Sequence, residues 1–102
     1  MILYIDTTDF NNVVYALSDG KTVKQKTYKI DPHNSHETLT KLEKFLEDLK
    51  IENLKLKIKK IVVNKGPGSY TGVRVGVTHE LALGFAWNVP VKAVAKDKFK
   101  IV

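Results

Sequence analysis

The 102-residue chain reads as an α/β fold: a mixed five-stranded sheet in the order 3-2-1-4-5 with two helices on one face. Three observations predict it. Three strand-like segments come first, joined by short turns, and then helix, strand, helix and strand alternate, as in a meander extended by parallel crossovers. Both helical stretches are long enough to cross back over a sheet. Crossovers between parallel strands are right-handed, so if strands one, three, four and five run parallel, both helices fall on the same side.

The first strand is Ile2-Leu3-Tyr4-Ile5-Asp6, a run of strand-favouring side chains that ends on an acid, and residues 12–18 form the second. Asp19-Gly20 is a two-residue hairpin signal leading into a third strand at 21–30. There Thr22, Lys24, Lys26 and Tyr28 alternate with Val23, Gln25, Thr27 and Lys29. So little apolar face suits an exposed edge strand blunted by lysines. Asp31-Pro32 breaks the strand, and Asn34 with Glu37 reads as a capping box for a helix running to about residue 50. Leu39, Leu42, Leu46 and Leu49 form its apolar stripe, with Phe45 beside them and lysines and glutamates opposite.

Ile61-Val62-Val63 is the fourth strand, buried by composition. The helix that follows, at about 71–88, carries Val73, Val77 and Leu81 on one stripe, while Gly72, Gly76, Leu83, Phe85 and Trp87 spread apolar or small surface around the rest. A helix with so few polar sides is expected to be buried on more than one of them. Gly72 and Gly76, with Ala82 and Ala86 further on, are places where another helix can approach closely, either within the chain or from a partner. Val91 to Val94 supplies the fifth strand. With both helices on one face, the other is left to Phe99 and Ile101, whose alternation suits a short plug.

Composition agrees with one small domain spanning residues 1–102, able to bury roughly 65% of its extended surface. There is no apolar run of membrane-spanning length and no leader-like N-terminus, because Asp6 interrupts the early apolar stretch; a cytoplasmic protein with no membrane contact is expected. The absence of cysteine excludes disulfides, thiolate catalysis and cysteine-ligated zinc. Sixteen lysines against one arginine give a net charge of +6, and two clusters stand out: Lys55, Lys57, Lys59 and Lys60, then Lys92, Lys96, Lys98 and Lys100. Aromatics are not interleaved with them as a base-stacking platform requires, so they read as a solvated surface, with contact to tRNA as the alternative.

Between the fourth strand and the second helix lies the most punctuated stretch, Gly66-Pro67-Gly68-Ser69-Tyr70-Thr71-Gly72-Val73-Arg74-Val75-Gly76. Its glycines permit positive φ and close backbone approach, and Ser69 or Thr71 can cap the helix. It reads equally as a tight strand-to-helix turn or as an anion-holding loop. It is neither a dinucleotide fingerprint nor a P-loop, since the glycine spacing differs and no Gly-Lys-Ser/Thr follows.

As a string this stretch resembles the signature of the TsaB family, the dimerisation subunit of the bacterial machinery that makes threonylcarbamoyladenosine beside the tRNA anticodon. Ile2-Leu3-Tyr4-Ile5-Asp6-Thr7-Thr8 resembles that family's first strand and turn, Asn34-Ser35-His36-Glu37 its first helix start with the histidine displaced by one, and Ala82-Leu83-Gly84 and Val89-Pro90-Val91 its next helix end and strand. The resemblance implies the N-terminal ribonuclease H/actin-like (ASKHA) domain of the family, without the usual C-terminal domain. It also implies a non-catalytic scaffold with no cofactor. Such a subunit pairs through its first two helices with the catalytic subunit TsaD, and meets the ATPase TsaE through the complex. Any tRNA contact is then indirect, and self-pairing into a homodimer is the competing association. The implied interface is the outer side of the first helix around Leu39, Leu42 and Leu46, with Gly72, Gly76, His79, Leu83 and Trp87 of the second.

The rival function is a small actin-like nucleotide-binding or ATP-hydrolysing protein holding phosphate with Asp6, Thr7, Thr8, Gly68, Ser69 and Thr71. The favoured reading of Asp6 itself is a strand-end cap for the Thr8 or Asp9 amide. No catalytic set emerges beyond this. His33 and His36 lack a third ligand in sequence, and His79-Glu80 lacks the second histidine of a zinc pair because Leu83 stands there, so no metal is expected. Arg74, the lone arginine, either clamps a partner's anion or pairs within the chain.

Overall fold

The computed structural model describes residues 1–9, 11–31, 34, 37–68 and 70–102, and the side chains of all of these except residues 55, 70–73, 75–77, 79 and 80. The elements are β1 (Ile2–Asp6), β2 (Asn12–Ser18), β3 (Val23–Lys29), α1 (Glu37–Asp48), α2 (Leu54–Lys57), β4 (Lys60–Asn64), α3 (Tyr70–Trp87) and β5 (Val91–Val94). One sheet holds all five strands in the order β3-β2-β1-β4-β5. The hairpin pairs β1–β2 and β2–β3 are antiparallel, with Leu3 opposite Leu17 and Tyr15 opposite Lys26. The crossover pairs β1–β4 and β4–β5 are parallel, with Leu3 opposite Ile61 and Val63 opposite Ala93.

Strand alternation sorts side chains to two faces. Leu3, Ile5, Val13, Tyr15, Leu17, Tyr28, Ile61 and Val63 lie on one, packed with Leu42 and Phe45 of α1 and, at the margin, Leu83 and Trp87 of α3. Both long helices therefore cover the same face, as the right-handed rule requires. Tyr15 is fully enclosed there, and its hydroxyl donates to the Thr38 carbonyl at 2.6 Å, tying β2 to the first turn of α1. Burial, with Tyr28 nearby, pushes its phenol well above the usual range.

Tyr4, Ala16 and Val62 occupy the opposite face, closed by Ile2, Val94, Phe99 and Ile101. The Phe99 ring meets Tyr4 edge-on at 5.9 Å between centroids. The expected plug is present, and Ser18 also donates its hydroxyl to the Val102 carbonyl.

Several boundaries differ from the sequence reading for local reasons. The β2–β3 turn is centred on Gly20-Lys21, one residue later than expected. Asp19 closes it by donating its N–H to the Thr22 carbonyl at 3.2 Å, while its carboxylate accepts from the Lys21 and Thr22 amides at 2.8 and 2.7 Å. Gly20 sits at φ +93°, where a side chain would be strained. The capping box is also rearranged. Asn34 gives its own N–H to the Asp31 carbonyl at 2.9 Å, so the Glu37 carboxylate accepts instead from the Asp31 amide at 3.1 Å. The single turn α2 was not foreseen, since Leu54-Lys55-Leu56-Lys57 alternates as a strand would.

Over residues 81–87, the described end of α3, the chain itself covers one side of the helix and leaves another open, where a partner is the alternative cover. Leu83 and Trp87 face the core margin, whereas Leu81 is 59% exposed and Phe85 92% exposed, with Ala82 and Ala86 open beside them. The sheet has one side to offer a helix, and no described element lies over the outer surface of this half of α3. Close docking on the inner side needs Gly84, where a Cβ would fall 2.2 Å from Val91 Cγ2. The helix then ends at Asn88 in the left-handed region, φ 53°.

Replacing Phe99 by alanine should lower folding stability by about 1–3 kcal/mol, the range for opening a half-buried aromatic site. The denaturant midpoint checks it; an unchanged midpoint would mean the tail covers nothing of consequence.

Candidate functional site

Two places carry the residues singled out by the sequence. The first lies where parallel β1 and β4 end side by side, bringing Asp6-Thr7-Thr8 against Gly66-Pro67-Gly68. Asp6 Oδ1 accepts the Thr8 amide at 3.0 Å and the Thr8 hydroxyl at 2.7 Å, while Oδ2 accepts the Asn64 amide at 3.3 Å. Asn64 in turn accepts the Gly66 N–H at 3.0 Å. Thr7, Thr8 and Asn64 are all buried. Gly68 touches this turn so closely that a Cβ would sit 2.6 Å from Thr8 Cβ and 2.8 Å from the Thr8 carbonyl oxygen. Gly66, at φ +93°, also needs its freedom from a side chain.

Both carboxylate oxygens of Asp6 are thus engaged within the chain, and the two loops are in contact at Gly68. That is the arrangement of a strand-end cap, the second of the two readings for Asp6. Ser69 lies outside the described residues, as does the side chain of Thr71. Asn64, the link between the two loops, was missed in the sequence; its signal was a lone amide closing the apolar run Ile61-Val62-Val63.

The second place is the surface shared by α1 and α3. Leu39, Leu42, Glu43 and Leu46 of α1 face Leu83 and Trp87 of α3 across a groove of about 340 Å³. It adjoins a larger one of about 570 Å³, where Leu46, Glu47 and Trp87 meet Ile51, Leu54 and Leu56 near α2. The structure brings Leu39, Leu42, Leu46, Leu83 and Trp87 together, as expected, but not all on an outer side. Leu42 is a correction: at 1% exposure it belongs to the core and forms the groove's floor, because the inner stripe of α1 runs through Thr38, Leu42 and Phe45. Gly72, Gly76 and His79 lie on α3, with their side-chain surroundings outside the described residues, and His33 and His36 lie outside them altogether. Leu81 and Phe85 add exposed apolar surface that the interface expectation had not included.

The family described as TsaD, tRNA N6-adenosine threonylcarbamoyltransferase, matches residues 21–96. The chain belongs to this family and is YeaZ/TsaB-like within it. The "tRNA threonylcarbamoyladenosine biosynthesis protein TsaB" of Bacillus subtilis (strain 168) is 33% identical over 94 residues, covering 92% of this chain and 40% of that protein. Among solved structures, YeaZ from Pseudomonas aeruginosa superposes with a TM-score of 0.78 at 24% identity, over 92% of this chain and 43% of the other. A T. thermophilus RuvC in complex with Holliday junction substrate gives a TM-score of 0.63 at 12% identity, over 94% and 64%. These two likenesses bear on the fold alone, which is the actin-like α/β fold of the YeaZ/TsaB group. The chain spans less than half the length of the TsaB and YeaZ relatives.

Within this TsaB-like chain, the contact between the two loops leaves no room for a single methyl group at Gly68. Gly68→Ala should lower stability by about 1–3 kcal/mol, as overpacking against backbone does. Asp6→Asn should also destabilise, by removing a charged acceptor from the Thr8 amide and hydroxyl. Thermal melts of both variants check this, and a Gly68→Ala melt matching the wild type would show that the loops separate freely.

Proposed function

We propose that the chain is a non-catalytic scaffold subunit acting in the cytoplasm, supporting a TsaD-like catalytic subunit as it transfers a threonylcarbamoyl group to the tRNA adenosine beside the anticodon. The family membership supports the process, and the names of the relatives place them in threonylcarbamoyladenosine biosynthesis. One observation carries the scaffold role: apolar side chains stay open on both long helices, Leu39 at 40% on the rim of the α1–α3 groove and Leu81 at 59% and Phe85 at 92% on the outward side of α3. A surface of that kind is what a helix of another protein covers. The partner in this reading is the TsaD-like subunit, with a TsaE-like ATPase joined through the complex, tRNA contact indirect and self-pairing the competing association.

The nucleotide-binding alternative keeps one observation in its favour, the placement of Asp6, Thr7, Thr8 and Gly68 at the ends of two adjacent parallel strands. Against it stand the internal bonds to both Asp6 oxygens and the closeness of Gly68 to Thr8.

Phe85→Lys, which changes an exposed side chain and spares the core, should weaken capture of the TsaD-like subunit by about 1–3 kcal/mol, as loss of an interface anchor does. Calorimetric titration of the pair checks it. The isolated chain should show no ATP hydrolysis; turnover that vanishes in Asp6→Asn would overturn the scaffold reading in favour of the nucleotide one.

A further inference from the structure

We infer that the free edge of β3 is a docking site for an extended acidic segment of another protein, which adds to the sheet as a further strand with its carboxylates set against Lys24 and Lys26. β3 is a terminal strand, seven residues long, with β2 on one side and no described element along the other. Hairpin geometry decides which of its backbone groups are unmet. Asp19 donates its N–H to Thr22 at the turn, and Ile30 donates its own to the Asn11 carbonyl at 2.9 Å where the ladder ends. Bonded pairs alternate with non-bonded ones in an antiparallel ladder, so Lys24, Lys26 and Tyr28 bond to β2 while Val23, Gln25, Thr27 and Lys29 turn N–H and C=O outward. Among the described residues these outward groups have no partner. An extended peptide satisfies such a row.

The side chains on this edge say which peptide. Lys24 and Lys26 stand opposite Leu17 and Tyr15, on the helix-covered side of the sheet. Lys26 and Lys41 of α1 both bring their ammoniums over the Tyr28 ring, 5.2 and 6.0 Å from its centre, so three cations gather on this flank. None of the three is in an ion pair among the described residues, Asp48, whose charge reaches Tyr28, included. The carboxylate of Glu37 is taken by the Asp31 amide. On the other side of β3 stand Val23, 41% exposed, Gln25 and Thr27. A segment that alternates acidic and apolar residues matches both sides, acid to lysine and apolar to Val23.

Edge lysines deter pairing with a neutral or basic strand, another β3 included, and the same charges favour an acidic one. Pairing of copies through any other surface is unaffected.

The test uses nuclear magnetic resonance on the isotope-labelled full chain and two capped octapeptides, one alternating glutamate with valine and one alternating lysine with valine. In the free protein the amides of Gln25, Thr27 and Lys29 should exchange with solvent faster than those of Lys24, Lys26 and Tyr28. The acidic peptide should shift and protect the outward amides, and the basic peptide should leave them unchanged. Lys24→Glu/Lys26→Glu should raise the Kd for the acidic peptide at least about tenfold and admit the basic one. Thr27→Pro removes an outward N–H without touching the β2 ladder and should weaken binding to a similar degree. Should that variant fail to fold, the acidic peptide methylated on its backbone nitrogens should lose binding to the wild type. An acidic peptide that leaves the outward amides unprotected overturns the docking site, as does binding that survives both Thr27→Pro and backbone methylation. Equal protection by the two peptides overturns the selection for acid.

Discussion

Right-handed crossovers force both long helices onto one side of the sheet, and most of what is distinctive in this chain follows from that asymmetry. β1, β4 and β5 run parallel, so the connections through α1 and through α3 turn the same way and land on the face of Leu3, Ile5, Ile61 and Val63. That face receives a double helical cover and an aromatic centre at Tyr15. The other receives an irregular tail whose Phe99 and Ile101 rest on Tyr4, Ala16 and Val62. A sheet of this size cannot leave such a face wet, because alternate residues of its central strands are apolar. The tail is therefore a structural element in its own right.

The glycine-rich signature is the joint between these layers. Asn64 holds Asp6 and Gly66 together, Gly68 seats against Thr8, and the Gly66 carbonyl accepts the Lys96 amide at 2.8 Å at the root of the tail. One loop thus links the end of β1, the start of α3 and the segment that closes the second face. This explains why so many residues of restricted or unusual freedom are concentrated there without any ligand being invoked. A loop braced on three sides has little latitude for side chains.

The strand order and the shared side of the helices were legible because they depend on element order and chain handedness, which survive errors of a residue or two. β1 and β2 were legible to the residue, since Asp6, Ser18 and the turn residues between them mark both ends. What escaped was decided by tertiary competition. The capping pattern at Asn34 and Glu37 is sound locally, but Asn34 had already given its amide to Asp31. Leu54-Lys55-Leu56-Lys57 has the period of a strand, yet it forms a helical turn as the chain reaches Ile58, which is buried. Leu42 was grouped with Leu39 because a leucine stripe cannot say where its inner edge falls; the position of β2, with Tyr15 bonded to Thr38, decides that. Asn64 was invisible as a site residue because its role depends on a strand end 58 residues away in sequence.

The outer surface of α3 is where local composition and the fold disagree most, and the disagreement has a physical direction. Leu83 and Trp87 use the only side of the helix that the sheet can reach, and Gly84 brings the helix close enough against Val91 to use it fully. Leu81 and Phe85 are then turned outward by helical geometry. Among the described residues, nothing in the packing requires apolar side chains at those two positions; lysine or glutamate there would leave the described core unchanged and remove a liability to aggregation. Apolar residues retained where the fold gains nothing from them support the proposed association, and they present it with a second side of α3, opposite the one that lines the groove with α1.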